Sequence, residues 1–207
     1  MIVQDFDNIE KRERARFINS LSGFKSLCLV GTKDSQGKSN LAPISSVFHI
    51  GADPALMGMI FRPHSTPRHS LENIIETKCF SLNHVHKDIL YSAHQASARY
   101  DKEESEFNKT DLEEEYLNHF HAPFVKESRL KLALNYEEHQ TLQINNTVLL
   151  IASINFVSLS KEFLREDMSV DIEKAGTLTV SGLDCYHETK EVARLSYAKK
   201  DRELKKI

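Results

Sequence analysis

Val30-Gly31-Thr32-Lys33-Asp34-Ser35-Gln36-Gly37-Lys38-Ser39-Asn40-Leu41-Ala42-Pro43-Ile44-Ser45-Ser46 is the stretch that decides the fold. Its beginning closes an apolar run, Ser26 to Lys33, that reads as a strand. Asp34 to Lys38 is turn chemistry, with Asp, Ser and Gly in sequence. A second strand follows at hairpin distance, roughly Asn40 to Ile50. Working outward, Ala52-Asp53-Pro54 is a turn and Leu56 to Phe61 a third strand. Cys79 to Val85 is a fourth. Strands resume at Leu130 to Tyr136 and at Thr147 to Leu159, around the run Val148-Leu149-Leu150-Ile151-Ala152. Helices are inserted among them. Asp5 to Ser22 is a charged helix stopped by Gly23. Thr66-Pro67 looks like an N-cap followed by Pro at the first helical position, with Leu71, Ile74 and Ile75 on the buried face. Lys87 to Ala98 fits another helix. The reading is mainly β with inserted helices. Sequential strands with tight turns predict antiparallel pairing, and closure into a barrel removes the edges. Alternating βαβ units and a GxGxxG turn are both absent, which argues against a dinucleotide-binding doubly wound fold.

Composition narrows the function. The chain has 207 residues, 27 Lys plus Arg against 30 Asp plus Glu, and a net charge of −3. A nucleic-acid binder usually carries a basic excess, so nucleic acid is not expected as a partner. No apolar run approaches the roughly 20 residues that span a bilayer, so no membrane partner is expected either. The polar segment Met1 to Arg16 lacks the apolar region of a signal peptide, and a cytoplasmic location is the expectation. Cys28, Cys79 and Cys185 are far apart and form no metal or disulfide signature. Cys28 and Cys79 sit in apolar runs and read as small buried hydrophobes.

Two constellations suggest a ligand. In Ser39 to Phe48, small polar residues interrupt an apolar strand. A solvated edge has this composition, and so does a wall that offers hydroxyls and main-chain groups to a flat polar ligand. In Phe61 to His69, Arg62, Ser65, Thr66 and Arg68 crowd a helix start. Orphan N–H groups and the helix dipole favour an anion there, and Arg adds a forked, permanently charged donor. That suits a phosphate monoester, although a solvated basic turn has the same residues. His84-Val85-His86 and His119-Phe120-His121 look like metal pairs, but no carboxylate or cysteine completes a site at recognisable spacing, and no metal is expected. There is no GxSxG nucleophile. The acidic run Glu103 to Glu115 reads as a solvated face.

Taken in order, these pieces resemble the flavin reductase-like family, whose fold is an antiparallel, Greek-key FMN-binding split barrel. The stretch quoted first looks like the family's strand, turn and N-x-A-P-x-S strand. Asp53-Pro54 matches its Pro-containing turn. Arg62, Thr66 and Asn73-Ile74 resemble its phosphate region, and Phe80-Ser81-Leu82-Asn83-His84-Val85 its F-x-V-N strand. Glu106-Phe107 and Ala122-Pro123 are similar to its marks in the long excursion, here Arg99 to Phe124, and Ser181-Gly182-Leu183-Asp184-Cys185-Tyr186 to its closing segment. The resemblance implies an N-terminal helical segment over 1–22, the barrel domain over 23–165, and a C-terminal extension over 166–207 that packs on the barrel or a partner subunit.

It also implies a cofactor, FMN or FAD, at a homodimer interface. The phosphate would meet Arg62, Ser65 and Thr66, with Arg68 in reach. The ring edge would take hydrogen bonds from Ala42, Pro43, Ile44, Ser45 and Ser46, from Asn83, His84 and Val85, and from the neighbourhood of Asn40 and Tyr186. The implied activity is hydride transfer from NAD(P)H to flavin and delivery of electrons to an acceptor. Two other readings stay open: an FMN-binding electron carrier reduced by a redox partner protein, and a split barrel that has lost flavin and serves as an interaction module. No residue is assigned a catalytic role, because the flavin carries the chemistry.

Overall fold

The computed structural model describes residues 8–63 and 68–207. Its strands are β1 (Lys25–Ser26), β2 (Cys28–Lys33), β3 (Ser39–Ile44), β4 (Val47–Ala52), β5 (Ala55–Phe61), β6 (Cys79–His84), β7 (Glu114–Glu115), β8 (Phe124–Val125), β9 (Leu130–Thr141), β10 (Val148–Leu159), β11 (Thr179–Ser181) and β12 (Cys185–His187). Its α-helices are α1 (Lys11–Leu21), α2 (His69–Thr77) and α3 (Leu90–Gln95). The expected Thr66-Pro67 cap lies outside the described residues. Helix α2 ends at Lys78, whose φ of 63° is the left-handed stop.

One seven-stranded sheet has the order β3-β2-β6-β9-β10-β5-β4, and its pairs are antiparallel. The expected single strand Asn40–Ile50 is in fact two. β3 pairs with β2 at one edge of the sheet, and β4 pairs with β5 at the other. Only Ser45 and Ser46 join them, a link that spans at most about 11 Å. The two edges are therefore forced together, and the sheet rolls into a barrel. Side chains close the seam. Ser26 Oγ donates to the Val47 carbonyl at 3.2 Å and accepts from its N–H at 3.3 Å. Ser46 Oγ donates to the Ile60 carbonyl at 2.6 Å.

Alternation along β2 serves two cores. Cys28 and Val30 face a cluster with Leu71, Ile74, Phe80, Leu134 and Leu150. Leu27 and Leu29 face a second one with Leu41, Val85, Ile89, Phe107 and Val180. Cys28 and Cys79 are buried, as the apolar runs suggested, and Cys185 is exposed. The acidic excursion is not merely a solvated face. A 3-10 turn over Glu106–Lys109 buries Glu106 and Phe107, and β7 pairs with β8. Beyond residue 165, β11 and β12 form a small sheet with β1, which returns the chain end to the barrel. No helix among the described residues is long and apolar enough to cross a membrane.

Candidate functional site

The seam opens onto a cavity of about 1120 Å³. Its floor is the end of β3, Ala42 to Ile44, with Ser45 and Ser46. Ile60, Phe61 and Arg62 from the end of β5 form one side. Residues 94 and 96–102 form another, and Val180, Leu183 and Tyr186 a third. The end of α1 contributes Ile18, Asn19 and Ser22. Because β3 and β4 are the free edges of the sheet, the backbone between them is not consumed by a neighbouring strand on both sides. This is why a polar-interrupted strand lies here rather than in the sheet centre.

One end of the cavity is cationic. Lys25, Arg62 and Arg68 all line it. Burial and the nearby Arg62 charge both lower the Lys25 pKa from its ordinary value. Lys25 Nζ donates to the Gly182 carbonyl at 2.6 Å. Arg62 forms no ion pair among the described residues. Arg68 reaches the Pro63 carbonyl only at 3.5 Å, and its buried Nε has no hydrogen-bond partner among the described residues. A buried guanidinium N–H left without an acceptor costs free energy, and a phosphate oxygen is the acceptor that fits it. The residues present thus suit an anion at this end. Ser45 has no hydroxyl partner among the described residues, whereas Ser46 uses its own on the seam.

The cavity wall also holds an acid and a hydrogen-bonded pair. Glu106 Oε2 accepts from the Leu41 N–H at 2.8 Å, and burial raises its carboxyl above the usual range. Tyr186 Oη lies 2.5 Å from His94 Nδ1, with the rings edge to face at 5.7 Å. Arg99 and Lys102 line the same wall, with Asp101 between them.

Of the residues expected to hold a ligand, Ala42, Pro43, Ile44, Ser45, Ser46, Arg62 and Tyr186 come together around this cavity. Ser65 and Thr66 lie outside the described residues. Asn40 does not line the cavity. Its Nδ2 donates to Ser70 Oγ at 2.8 Å, and Ser70 does line it, so Asn40 acts one step behind the wall.

Asn83, His84 and Val85 do not line this cavity. Strand β6 is interior, flanked by β2 and β9, so sheet partners take its backbone groups. Asn83 is wholly buried. Its Nδ2 donates to the Leu29 carbonyl at 3.1 Å and to Ser81 Oγ at 2.9 Å, and its Oδ1 accepts from the Val125 N–H. Val85 exchanges backbone bonds with Leu27 and Leu178. His84 Nδ1 meets Thr177 Oγ1 at 3.2 Å, and burial pushes its pKa down to about 4. His86 meets the Glu127 carbonyl, while His119 and His121 are exposed.

Lys25, His94, Arg99, Lys102 and Glu106 escaped the sequence reading as site residues. Only Glu106 had a signal, its place in a family mark. The others are brought in by the return of the chain end and by the turn after α3.

The model of the flavin reductase like domain matches residues 24–179. No curated protein matches the chain. Among solved structures, the chain is similar to a Shewanella frigidimarina protein with a split-barrel domain, provisionally named a flavin reductase. The TM-score is 0.90 and the identity 52%, covering 93% of this chain and 96% of that one. Component B of nitrilotriacetate monooxygenase from Bacillus cereus gives a TM-score of 0.84 at 16% identity, over 94% and 98% of the two chains. An FMN-binding protein from Thermus thermophilus with bound 1-cyclohex-2-enone gives 0.69 at 16% identity, over 87% and 93%.

Proposed function

The chain belongs to the flavin reductase-like family, and from that premise we propose that it binds FMN in the seam cavity and transfers hydride from NAD(P)H to the flavin, then electrons to an acceptor. The observation that carries this reading is the buried Arg68 Nε, without a partner among the described residues, in a cavity that Arg62 and Lys25 also line. Arg62, Arg68 and Lys25 would hold the phosphate. Ala42 to Ser45 would present main-chain groups and a free hydroxyl to the ring edge, whose N and O atoms both donate and accept. Bound there, the flavin supplies two-electron redox chemistry that no side chain of this protein provides.

The protein's own part is to bind, orient and exclude water. The partial burial of Lys25 and Arg68 strengthens their attraction for a phosphate. The cavity also exceeds the roughly 300–1,000 Å³ common for one small ligand, which supports a second molecule, the nicotinamide, beside the first. Arg99 and Lys102 are the cations available to its phosphates. The Thermus protein holds an enone, which makes conjugated carbonyl compounds the acceptor class to test. We place a homodimer in the same reading. Helix α1 buries no residue, and Ile18, Leu21 and Phe24 are exposed near the cavity mouth, as expected of a face that a second copy covers. A cytoplasmic location and a redox partner protein belong to the same proposal.

The test is a spectrum. Protein mixed with FMN and desalted should retain a flavin absorption that bleaches on anaerobic addition of NADH or NADPH. Retained flavin that stays oxidised with both would overturn the hydride step and favour the electron carrier.

A further inference from the structure

We propose that Tyr186, backed by His94, donates a proton to a conjugated carbonyl acceptor, a quinone or an enone, reduced in this cavity. The proposal rests on the flavin reading above and extends it to a residue and a substrate class. Tyr186 lines the cavity, and its hydroxyl is 2.5 Å from His94 Nδ1. Their two elements, α3 and β12, are far apart in the chain. His94 is exposed, so its Nε2 side reaches water while Nδ1 faces the phenol. Burial and then the Asp184 charge hold the Tyr186 hydroxyl protonated well into the alkaline range. Lys25, two strands away across β11, is turned to the Gly182 carbonyl. No carboxylate bonds to the pair among the described residues.

Hydride transfer to a conjugated carbonyl leaves an oxyanion, an enolate or a phenolate. That oxygen needs a proton before the product can leave neutral. The Tyr186 O–H bond breaks and its proton goes to the acceptor oxygen. The Tyr186 oxygen then takes the Nδ1 proton of His94 as Nε2 takes one from water. The two electrons come with the hydride from the reduced flavin, and the proton comes ultimately from solvent, so the step balances. General acid catalysis of this kind contributes about 10²–10⁴-fold.

The experiment uses the FMN-loaded full chain, reduced with dithionite so that it does not depend on NAD(P)H. Reoxidation is followed with menadione and, separately, with ferricyanide, which takes electrons without a proton. In Tyr186→Phe the menadione-to-ferricyanide rate ratio should fall about 100-fold. In His94→Gln the ratio should fall less. A binding measurement needs no turnover. The oxidised flavin has no hydride to give, and the titration of cyclohexanone onto the oxidised protein, read from the flavin spectrum, should weaken about 2- to 10-fold in Tyr186→Phe. An unchanged rate ratio with unchanged cyclohexanone binding overturns the proposal, as does an equal slowing of both acceptors. Failure of NAD(P)H to reduce a flavin that dithionite reduces overturns the hydride step alone.

Discussion

Glu106 places a carboxylate oxygen 2.8 Å from the backbone nitrogen of Leu41. The bond pins the acidic excursion to the edge strand that floors the cavity. Leu41 is fully buried and Glu106 nearly so, and burial raises the carboxyl pKa. A carboxyl whose folded pKa is raised contributes stability below its unfolded value, about 4.3, and loses it as pH rises through the folded pKa. Glu106→Gln keeps an acceptor for Leu41 and cannot titrate. Wild type should therefore lose thermal stability relative to Glu106→Gln as pH rises from about 4.3 toward neutrality. Paired melting curves across that range check this, and a constant difference in Tm would contradict it.

Arg68→Ala and Arg62→Ala should each weaken FMN binding. A hydrogen bond to a charged group is worth about 1.5–3 kcal/mol, or roughly 10- to 150-fold in Kd. Riboflavin lacks the phosphate, so its affinity should change little. Fluorescence quenching titrations of both flavins make the comparison. Equal losses for FMN and riboflavin would place these arginines at the ring rather than at the phosphate.

The hairpin and the polar strand were legible because turn chemistry and alternation are local. The break at Ser45-Ser46 was not. Nothing in Asn40 to Ile50 announces that its two halves pair with opposite edges of one sheet, since that depends on β5 and on barrel closure. For the same reason Arg62 was readable as a binding residue and Lys25 was not. Arg62 sits in a dense polar turn, whereas Lys25 enters through the Gly182 carbonyl, 157 residues away. Asn83 does not line the cavity. It was named through the resemblance to the family's F-x-V-N strand, and the hydrogen bonds recorded for it all go to the protein itself.

Asn83 should accordingly behave as a structural residue. Asn83→Ala strands the Val125 N–H and the Leu29 carbonyl in the interior, at about 1–3 kcal/mol for each group left unsatisfied. Urea unfolding should show that loss. FMN affinity of the folded fraction should stay within a few fold of wild type. A large affinity loss in a protein of undiminished stability would return Asn83 to the binding site.

Gly31 tests the barrel where two elements touch. Strand β2 passes so close to the excursion that a Cβ at Gly31 would strike the Pro123 carbonyl oxygen and come within 2.6 Å of Ser81 Oγ. Ser81 Oγ donates to that same carbonyl at 2.5 Å, so the methyl would intrude on a buried hydrogen bond as well as on backbone. Neither obstacle is the free end of a flexible side chain, and the strand must shift to make room. Overpacking of this kind costs typically 1–3 kcal/mol. Gly31→Ala should therefore lower the urea midpoint with little change in the m-value, since the surface exposed on unfolding is almost the same. Gly23→Ala supplies the contrast. No atom lies within 4 Å of its Cβ position, but its φ of 72° strains a side chain. Its loss should be close to the glycine-to-alanine conformational penalty alone, about 1–2 kcal/mol. Space, not backbone angle, is the constraint at Gly31, and the larger loss should fall there. A Gly31→Ala protein as stable as wild type would mean that the excursion does not pack against β2 as described.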